Sequence, residues 1–186
     1  MAVHSERIGD VSVVTISRPE ARNAIDRATV EELLTAFAEF DADDSGALVV
    51  AGAAGVFGVG TEEASIDEIV ALDLRRPTVA AIAGDCRAES LQLAMWCDLR
   101  VAGEDAVLSA GSHGIQRLSR LVGPSRAADL ALTGRVMSGA EAWRIGLVDR
   151  LVPPDQELGA ALDLAASVAV RPASSIEAAL RAVRDR

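Results

Sequence analysis

The sequence predicts an α/β fold with parallel β-strands, and two observations support this class. Short runs rich in β-branched residues alternate with longer stretches that have helical periodicity. Strand, helix and strand at this spacing imply parallel crossovers, which are right-handed almost without exception. With 186 residues, of which 50% are hydrophobic, the chain can form one domain around a single core.

The predicted elements follow one another along the chain. The first strand spans Val11 to Ile16, and the first helix opens after Asp26, a suitable N-cap. Further strands are predicted at Ala47 to Ala51, Thr78 to Ile82 and Leu99 to Ala102. Further helices are predicted at Ser65 to Leu74, Glu89 to Cys97, Pro124 to Leu132, Gly139 to Ile145, Glu157 to Val168 and Ser175 to Val183. Residues 1–123 would form the α/β core, and residues 124–186 a helical C-terminal region of the same domain.

Composition argues against several classes of function. The formal net charge is -10 and the sequence contains no block of basic residues, so we expect no nucleic-acid partner. Cys86 and Cys97 are too few for a disulfide framework and have no nearby metal-ligand partners, so no metal site is predicted. No apolar run is long enough to cross a bilayer, and the N-terminus lacks a signal-peptide layout. We therefore expect a cytoplasmic protein without a membrane partner.

The nine residues Ser17 to Ile25, between the first strand and the first helix, form the most informative motif. Related patterns follow in order at Gly60-Thr61-Glu62, Pro77 to Gly84, Leu91 to Arg100, Gln116 to Gly123 and Leu132 to Val148. Together they cover nearly the whole chain. In these motifs and their order the chain resembles the crotonase superfamily, which includes the enoyl-CoA hydratases and isomerases.

This resemblance implies the crotonase (ClpP-like) fold, a repeated ββα spiral core followed by C-terminal helices. It also implies a coenzyme A thioester as the ligand, no other cofactor, a role in fatty acid metabolism, and a homo-oligomer that is a trimer or a hexamer. Family members usually continue beyond the position of Arg186 with further helices, so we expect the chain to be truncated at its C-terminus.

The resemblance also identifies two positions of an oxyanion hole, where backbone N–H groups would hold the thioester oxygen as it becomes an enolate. These are Thr61 and Glu89. Ala88, Glu89 and Ser90 occupy the place of three family glycines. A carboxylate beside an oxyanion has the wrong sign to stabilise it. We interpret Glu89 mainly as an acid that the dipole of its helix favours, with a new catalytic acid as the alternative.

A substrate-binding set is predicted around the same positions. Arg22 matches a basic family residue near the nucleotide, and a guanidinium forms forked hydrogen bonds to phosphate. The acidic pair Glu62-Glu63 could reach the acyl group or could simply open the next helix. The predicted substrate-binding residues are Arg22, Ala24, Gly60, Thr61, Glu62 and Glu63.

The family's hydratases use two glutamates that position and deprotonate water, and neither is expected here. Gln92 takes the place of the first, and an amide cannot accept a proton at neutral pH. No acid lies between Asp105 and Arg117, where the second would be. His113 could be a substitute base, although a loop residue facing solvent is the simpler interpretation. No catalytic residue is assigned.

Two functional hypotheses remain. The first is an acyl-CoA-binding protein of the lyase and isomerase family in which hydratase activity is weak or lost, so that isomerisation, decarboxylation or thioester hydrolysis would be easier to accommodate. The alternative is a pseudoenzyme, a non-catalytic subunit that interacts with a related enzyme or an acyl carrier.

Overall fold

A computed structural model of the chain describes residues 1–60 and 65–184. The strands are β1 (Val3–Ile8), β2 (Val11–Ile16), β3 (Ala47–Gly52), β4 (Thr78–Ile82), β5 (Asp85–Arg87), β6 (Leu99–Gly103), β7 (Val107–Ser109), β8 (Met137–Ser138) and β9 (Arg150–Val152). The helices are α1 (Arg27–Ala42), α2 (Asp67–Val70), α3 (Glu89–Trp96), α4 (Ile115–Val122), α5 (Pro124–Thr133), α6 (Gly139–Arg144), α7 (Glu157–Ala169) and α8 (Ala173–Arg184).

The strands form two sheets. The larger has the order β1-β2-β3-β4-β6-β9, in which β1 is antiparallel to β2 and every other neighbouring pair is parallel. The smaller has the order β5-β7-β8. Successive strands β4 and β5, and β6 and β7, therefore enter different sheets. The predicted α/β class with parallel strands is confirmed.

The larger sheet is buried on both faces. In β3, Leu48 and Val50 belong to the core shared with α1 and α3, whereas Val49 packs with residues of α7 on the opposite face. This alternation follows from the two-residue period of a strand. A strand covered on both sides needs apolar residues at every position, which explains why β3 was readable as a continuous apolar run.

The first helix confirms its predicted start. The Asp26 side chain accepts a hydrogen bond from Thr29 N at 2.9 Å, as an N-cap does. This bond is the largest of the influences that hold the pKa of Asp26 below its usual range. On the buried face of α1, the ring of Phe37 stacks on Trp96 of α3 at 5.0 Å between centroids.

Several elements differ from the prediction. The helix expected at Ser65 to Leu74 is the short α2, and the Leu72 carbonyl accepts the Trp96 indole N–H at 3.2 Å instead of extending a helix. Strand β1 has one buried and five exposed residues, so no apolar run indicated it. Helix α4 was not predicted. The region 124–186 contains β8 and β9 as well as helices, and β9 joins the larger sheet beside β6.

The cysteines behave as core residues. Cys97, predicted to be a small core residue, is 1% exposed, and burial raises the pKa of its thiol to about 12. Cys86 is also buried with a free thiol. In residues 1–60 and 65–184, no helix is both long and apolar enough to cross a membrane.

Arg100 is a buried charge that ties the end of α3 to the segment before β9. Its guanidinium donates to the carbonyls of Leu147 and Cys97, each at 2.7 Å, and forms an ion pair with Asp149 at 3.0 Å. Asp149 also accepts the backbone N–H of Arg100 at 2.8 Å. This side chain therefore satisfies carbonyls from separate parts of the chain at one edge of the sheet.

Replacing Arg100 with Met should lower the free energy of unfolding by about 3 kcal/mol, because it leaves buried carbonyls and Asp149 without their donor. Urea unfolding followed by circular dichroism measures the loss. Arg150→Met, a change at an exposed arginine, is the control, and its free energy of unfolding should stay within about 0.5 kcal/mol of the parent value. Equal stability of the two variants would contradict this role for Arg100.

Candidate functional site

Asn23 anchors the Ser17 to Ile25 turn in the molecule. It is fully buried, and its backbone has a φ of 55°, a left-handed conformation that asparagine tolerates better than most residues. Its side chain accepts from Arg18 N at 2.8 Å and donates to the carbonyls of Ala53 and Val56 at 2.9 and 2.6 Å. The turn is thereby fastened to the loop that follows β3. Asn23 lies within the motif recognised from the sequence, but no role was predicted for it.

The predicted ligand residue Arg22 lies at the surface of this turn. Its side chain is 59% exposed, and its guanidinium pairs with Asp85 of β5. Asp85 also accepts from Arg87 Nε at 2.5 Å. Two guanidinium groups thus share one carboxylate, so this surface has an excess of positive charge. Ala24, predicted to line the substrate site, is 7% exposed.

The segment Gly58 to Gly60 runs directly against the start of α3. A Cβ on Gly60 would overlap the Glu89 carboxylate and lie 2.8 Å from the Glu89 nitrogen. A Cβ on Gly58 would lie 2.5 Å from the Ser90 hydroxyl. Both glycines are therefore required by close approach to α3. The next predicted site residues, Thr61, Glu62 and Glu63, lie outside the described residues.

The backbone at the start of α3 has an unusual conformation. Ala88, just before the helix, has φ 50° and ψ -117°, a combination that residues with a side chain rarely adopt. Its N–H donates to Ser109 O at 3.1 Å, and its carbonyl accepts the first helical bond from Gln92 N at 3.0 Å. The N–H groups of Glu89 and Ser90 precede that first bond, as the opening donors of a helix do. Ala88 thus adopts a backbone conformation for which glycine is better suited.

Glu89 is buried rather than displayed on the first turn. Only 5% of its side chain is exposed, and within the described residues its Oε2 atom is buried without a hydrogen-bond partner. Its Oε1 atom lies 3.8 Å from His113 Nδ1. Glu89 does lie in the first turn of α3, as predicted. A favourable helix dipole does not explain why its side chain is buried.

The loop after β7 covers the same helix. A Cβ on Gly111 would lie 2.9 Å from the Ala88 Cα atom. Gly114 has φ 74°, and a Cβ there would lie 3.1 Å from the Gln92 side chain. These close contacts hold the loop on α3 and bring His113 to Glu89. The side chain of His113 is 48% exposed, so it contacts both the buried acid and solvent.

These side chains do not form a Ser-His-acid triad. The Ser112 hydroxyl lies 3.3 Å from His113 Nδ1, and Glu89 approaches the same nitrogen. In a triad the acid and the nucleophile contact opposite ring nitrogens. Within the described part of the chain there is also no group of three His, Cys, Asp or Glu side chains suited to a metal ion.

The structure therefore brings together three segments, which we call the junction: Gly58 to Gly60, Ala88 to Gln92, and Gly111 to Gly114. Gln92 is 5% exposed and lies one helical turn after Glu89 on the same face of α3. Arg22 and Asp85 lie outside the junction, at the neighbouring surface. The sequence showed glycines in two of these segments, Gly58 to Gly60 and Gly111 to Gly114, but not that both segments lie against the start of α3.

A groove of about 880 Å³ opens beside the junction, between α2, α3, α4 and α8. Gly114 and Met95 line the end nearest Gln92. Its apolar lining includes Val70, Leu72, Leu74, Met95, Trp96 and Leu121, and its polar and charged lining consists of Asp73, Asp98, Arg100, Gln116, Arg117, Arg120 and Arg184.

Comparisons with known proteins agree with this architecture. The family model described as enoyl-CoA hydratase/isomerase matches residues 6–186. A probable enoyl-CoA hydratase of Mycobacterium bovis is 34% identical over 203 residues, covering 96% of this chain and 79% of that protein. A probable enoyl-CoA hydratase of Rhizobium meliloti is 38% identical over 192 residues, covering 88% and 74%.

Solved structures show the same fold. The crystal structure of a monofunctional enoyl-CoA isomerase from M. smegmatis has a TM-score of 0.92 and 32% identity, covering 99% of this chain and 92% of that one. An enoyl-CoA hydratase structure from Mycobacterium avium has a TM-score of 0.89 and 31% identity, covering 100% and 88%. The molecule is thus an α/β protein with the crotonase fold, as predicted. The chain belongs to the enoyl-CoA hydratase/isomerase family.

The strained alanine gives a direct test of the junction. Ala88→Gly should raise the free energy of unfolding by about 1 kcal/mol, because glycine adopts a positive φ without steric strain. Ala128→Gly, at an exposed position inside α5, should lower it by about 1 kcal/mol through lost helix propensity. Urea unfolding of both variants checks the opposite signs. A loss of stability in Ala88→Gly equal to that of the control would contradict the assigned backbone conformation.

Proposed function

We propose that the chain binds an acyl-CoA thioester at the junction, with the thioester oxygen at the N–H of Glu89. The observation that carries this proposal is the start of α3, where Ala88 has a positive φ and the Glu89 nitrogen lies close to Gly60. Helix N-termini favour negative charge, so these donors suit an oxygen that becomes an enolate. Membership of the enoyl-CoA hydratase/isomerase family supports the same ligand.

We propose the Arg22 surface as the site of the coenzyme A phosphates. Arg22 is exposed beside the junction, and Asp85 neutralises only part of the charge of Arg22 and Arg87. The Arg22 side chain is exposed, whereas that of Asp85 is only 11% exposed, so the guanidinium would have to turn away from this carboxylate to bind a phosphate. Asp85 would then compete with the ligand for Arg22.

Substitutions at this pair should shift coenzyme A affinity in opposite directions. Arg22→Ala should weaken binding about tenfold, the effect of losing about 1.4 kcal/mol of charge-assisted hydrogen bonding. Asp85→Asn should tighten binding severalfold, because the competing carboxylate is removed. Isothermal titration calorimetry with coenzyme A measures both.

The control for this titration is Arg135→Ala. Arg135 is 39% exposed and pairs with Asp129 and Glu141, so it matches Arg22 in type and pairing but lies in another part of the chain. Its replacement should leave the affinity unchanged. Unchanged affinity in Arg22→Ala would remove this arginine from the ligand site, whatever the behaviour of the control.

The acyl chain, in this proposal, leaves the junction along the groove beside Gly114 and Met95. The apolar part of its mixed lining suits a hydrocarbon chain, and its nearer end lies at the Gln92 side of α3. The buried Gln92 amide would then face the carbons next to the thioester. An amide can orient water there but cannot deprotonate it.

Hydration of an enoyl thioester should for this reason be weak or absent. Purified protein mixed with crotonyl-CoA should show loss of the enoyl absorbance at about the rate of buffer alone, since general-base catalysis contributes about 10²- to 10⁴-fold and neither of the two family glutamates is expected in this chain. Coenzyme A binding by calorimetry serves as the control for a functional ligand site. Rapid hydration would contradict the proposal, and binding with no turnover of any acyl-CoA would favour the alternative, a non-catalytic subunit.

We further propose that the chain forms a homo-oligomer, with a trimer as the expected state. Leu132, Val136 and Trp143 are large apolar residues that are 86%, 50% and 51% exposed around α5 and α6. Burial of such residues is a common driving force for association. A cytoplasmic location and a role in fatty acid metabolism stay predictions.

A further inference from the structure

We propose that Glu89 and His113 form a proton-transfer pair that removes and returns an α-proton of the bound acyl thioester. This inference rests on the acyl-CoA site proposed above. It gives the Glu89 carboxylate a chemical role, whereas the family resemblance implied only a backbone N–H donor at this position. The substrate class is an acyl-CoA with a C–H bond next to the thioester carbonyl.

The position of the Glu89 carboxylate carries the first step. Oε2 is buried, has no partner in the described part of the chain, and faces the Gly60 backbone. The nitrogen of Glu89 faces the same segment. A thioester whose oxygen accepted this N–H would place its α-carbon two bonds from that oxygen, near the carboxylate of the same residue.

The charge balance of this step removes the objection to an acid in an oxyanion hole. Glu89 Oε2 forms an O–H bond with the α-proton as the C–H bond breaks, and the electron pair moves through the carbonyl to the thioester oxygen. The negative charge leaves the carboxylate as it appears on the enolate. Before the transfer only the carboxylate is charged, and after it only the enolate is, so the two are never fully charged together.

His113 supplies a route from the buried acid to solvent. Its Nδ1 lies 3.8 Å from Glu89 Oε1, beyond hydrogen-bond length but within reach of a small loop movement or one bridging water. Its ring is 48% exposed, whereas the Glu89 side chain is 5% exposed. The proton taken by Glu89 therefore exchanges with water through His113. His113 does not touch the reacting carbon and acts through Glu89.

The test is hydrogen exchange at the α-carbon of butyryl-CoA in D₂O, followed by mass spectrometry. The parent protein should incorporate deuterium faster than buffer does. Glu89→Gln should lower the rate about 10²- to 10⁴-fold, the size of a general-base contribution. Glu89→Asp keeps the charge but shortens the side chain, so its rate of deuterium incorporation should lie between those of the parent and Glu89→Gln. His113→Ala should slow incorporation about tenfold, and added imidazole should restore part of the rate.

The matched control is Glu157→Gln. Glu157 is also a buried glutamate at the first position of a helix, but α7 packs on the opposite face of the larger sheet. Burial raises the pKa of its carboxyl, so it is likewise a carboxylate in a poorly hydrated place. This variant should exchange at the parent rate.

Calorimetry with butyryl-CoA separates the possible failures. Binding without exchange by the parent would overturn the Glu89 and His113 pair and leave the proposed ligand site intact. No binding would overturn both. Exchange by Glu89→Gln at the parent rate would also overturn the pair, and if that variant does not fold, a His113→Ala protein with unchanged exchange would do so.

Discussion

The positive φ of Ala88 is the constraint on which the rest of the candidate site depends. It sets the direction in which α3 begins, and the Glu89 nitrogen of that helix lies close to Gly60. An alanine in this conformation is strained by about 1–3 kcal/mol, so surrounding contacts must hold it there. The bond from Ala88 N to Ser109 O and the close packing of Gly111 do so from β7 and its loop.

The same constraint explains why an acid can occupy a position that glycine would suit. Because Ala88 takes the unusual backbone angles, Glu89 itself needs only helical ones, and its side chain can fold back towards Gly60. The buried carboxylate then lies between a glycine that has no side chain to exclude it and a histidine that opens to solvent. Glu89 thus has room beside Gly60, carries a charge and lies next to a residue that contacts water. This combination distinguishes the junction from an ordinary helix start.

Much of the fold could be predicted because its main strands are covered on both faces. Val11 to Ile16 and Thr78 to Ile82 have the predicted bounds, since only continuous apolar runs satisfy burial from two sides. Strand β1 and the short α2 could not be predicted in the same way. The first lies at an edge with mostly exposed residues, and the second ends where Trp96 takes the Leu72 carbonyl. Strand β1 is held by pairing with the neighbouring β2 across a two-residue turn, and α2 ends at a contact with α3.

The sequence by itself determined the family, the order of the main strands and helices, and the residue types available at the site, because these depend on local periodicity and on motifs in a fixed order. Only the tertiary structure decided that Glu89 is buried, that His113 lies beside it, and that Asn23 fastens its turn to the loop after β3. Burial and proximity are set by contacts between segments far apart along the chain. No local pattern records them, and for this reason the proton-transfer pair became visible only in the folded molecule.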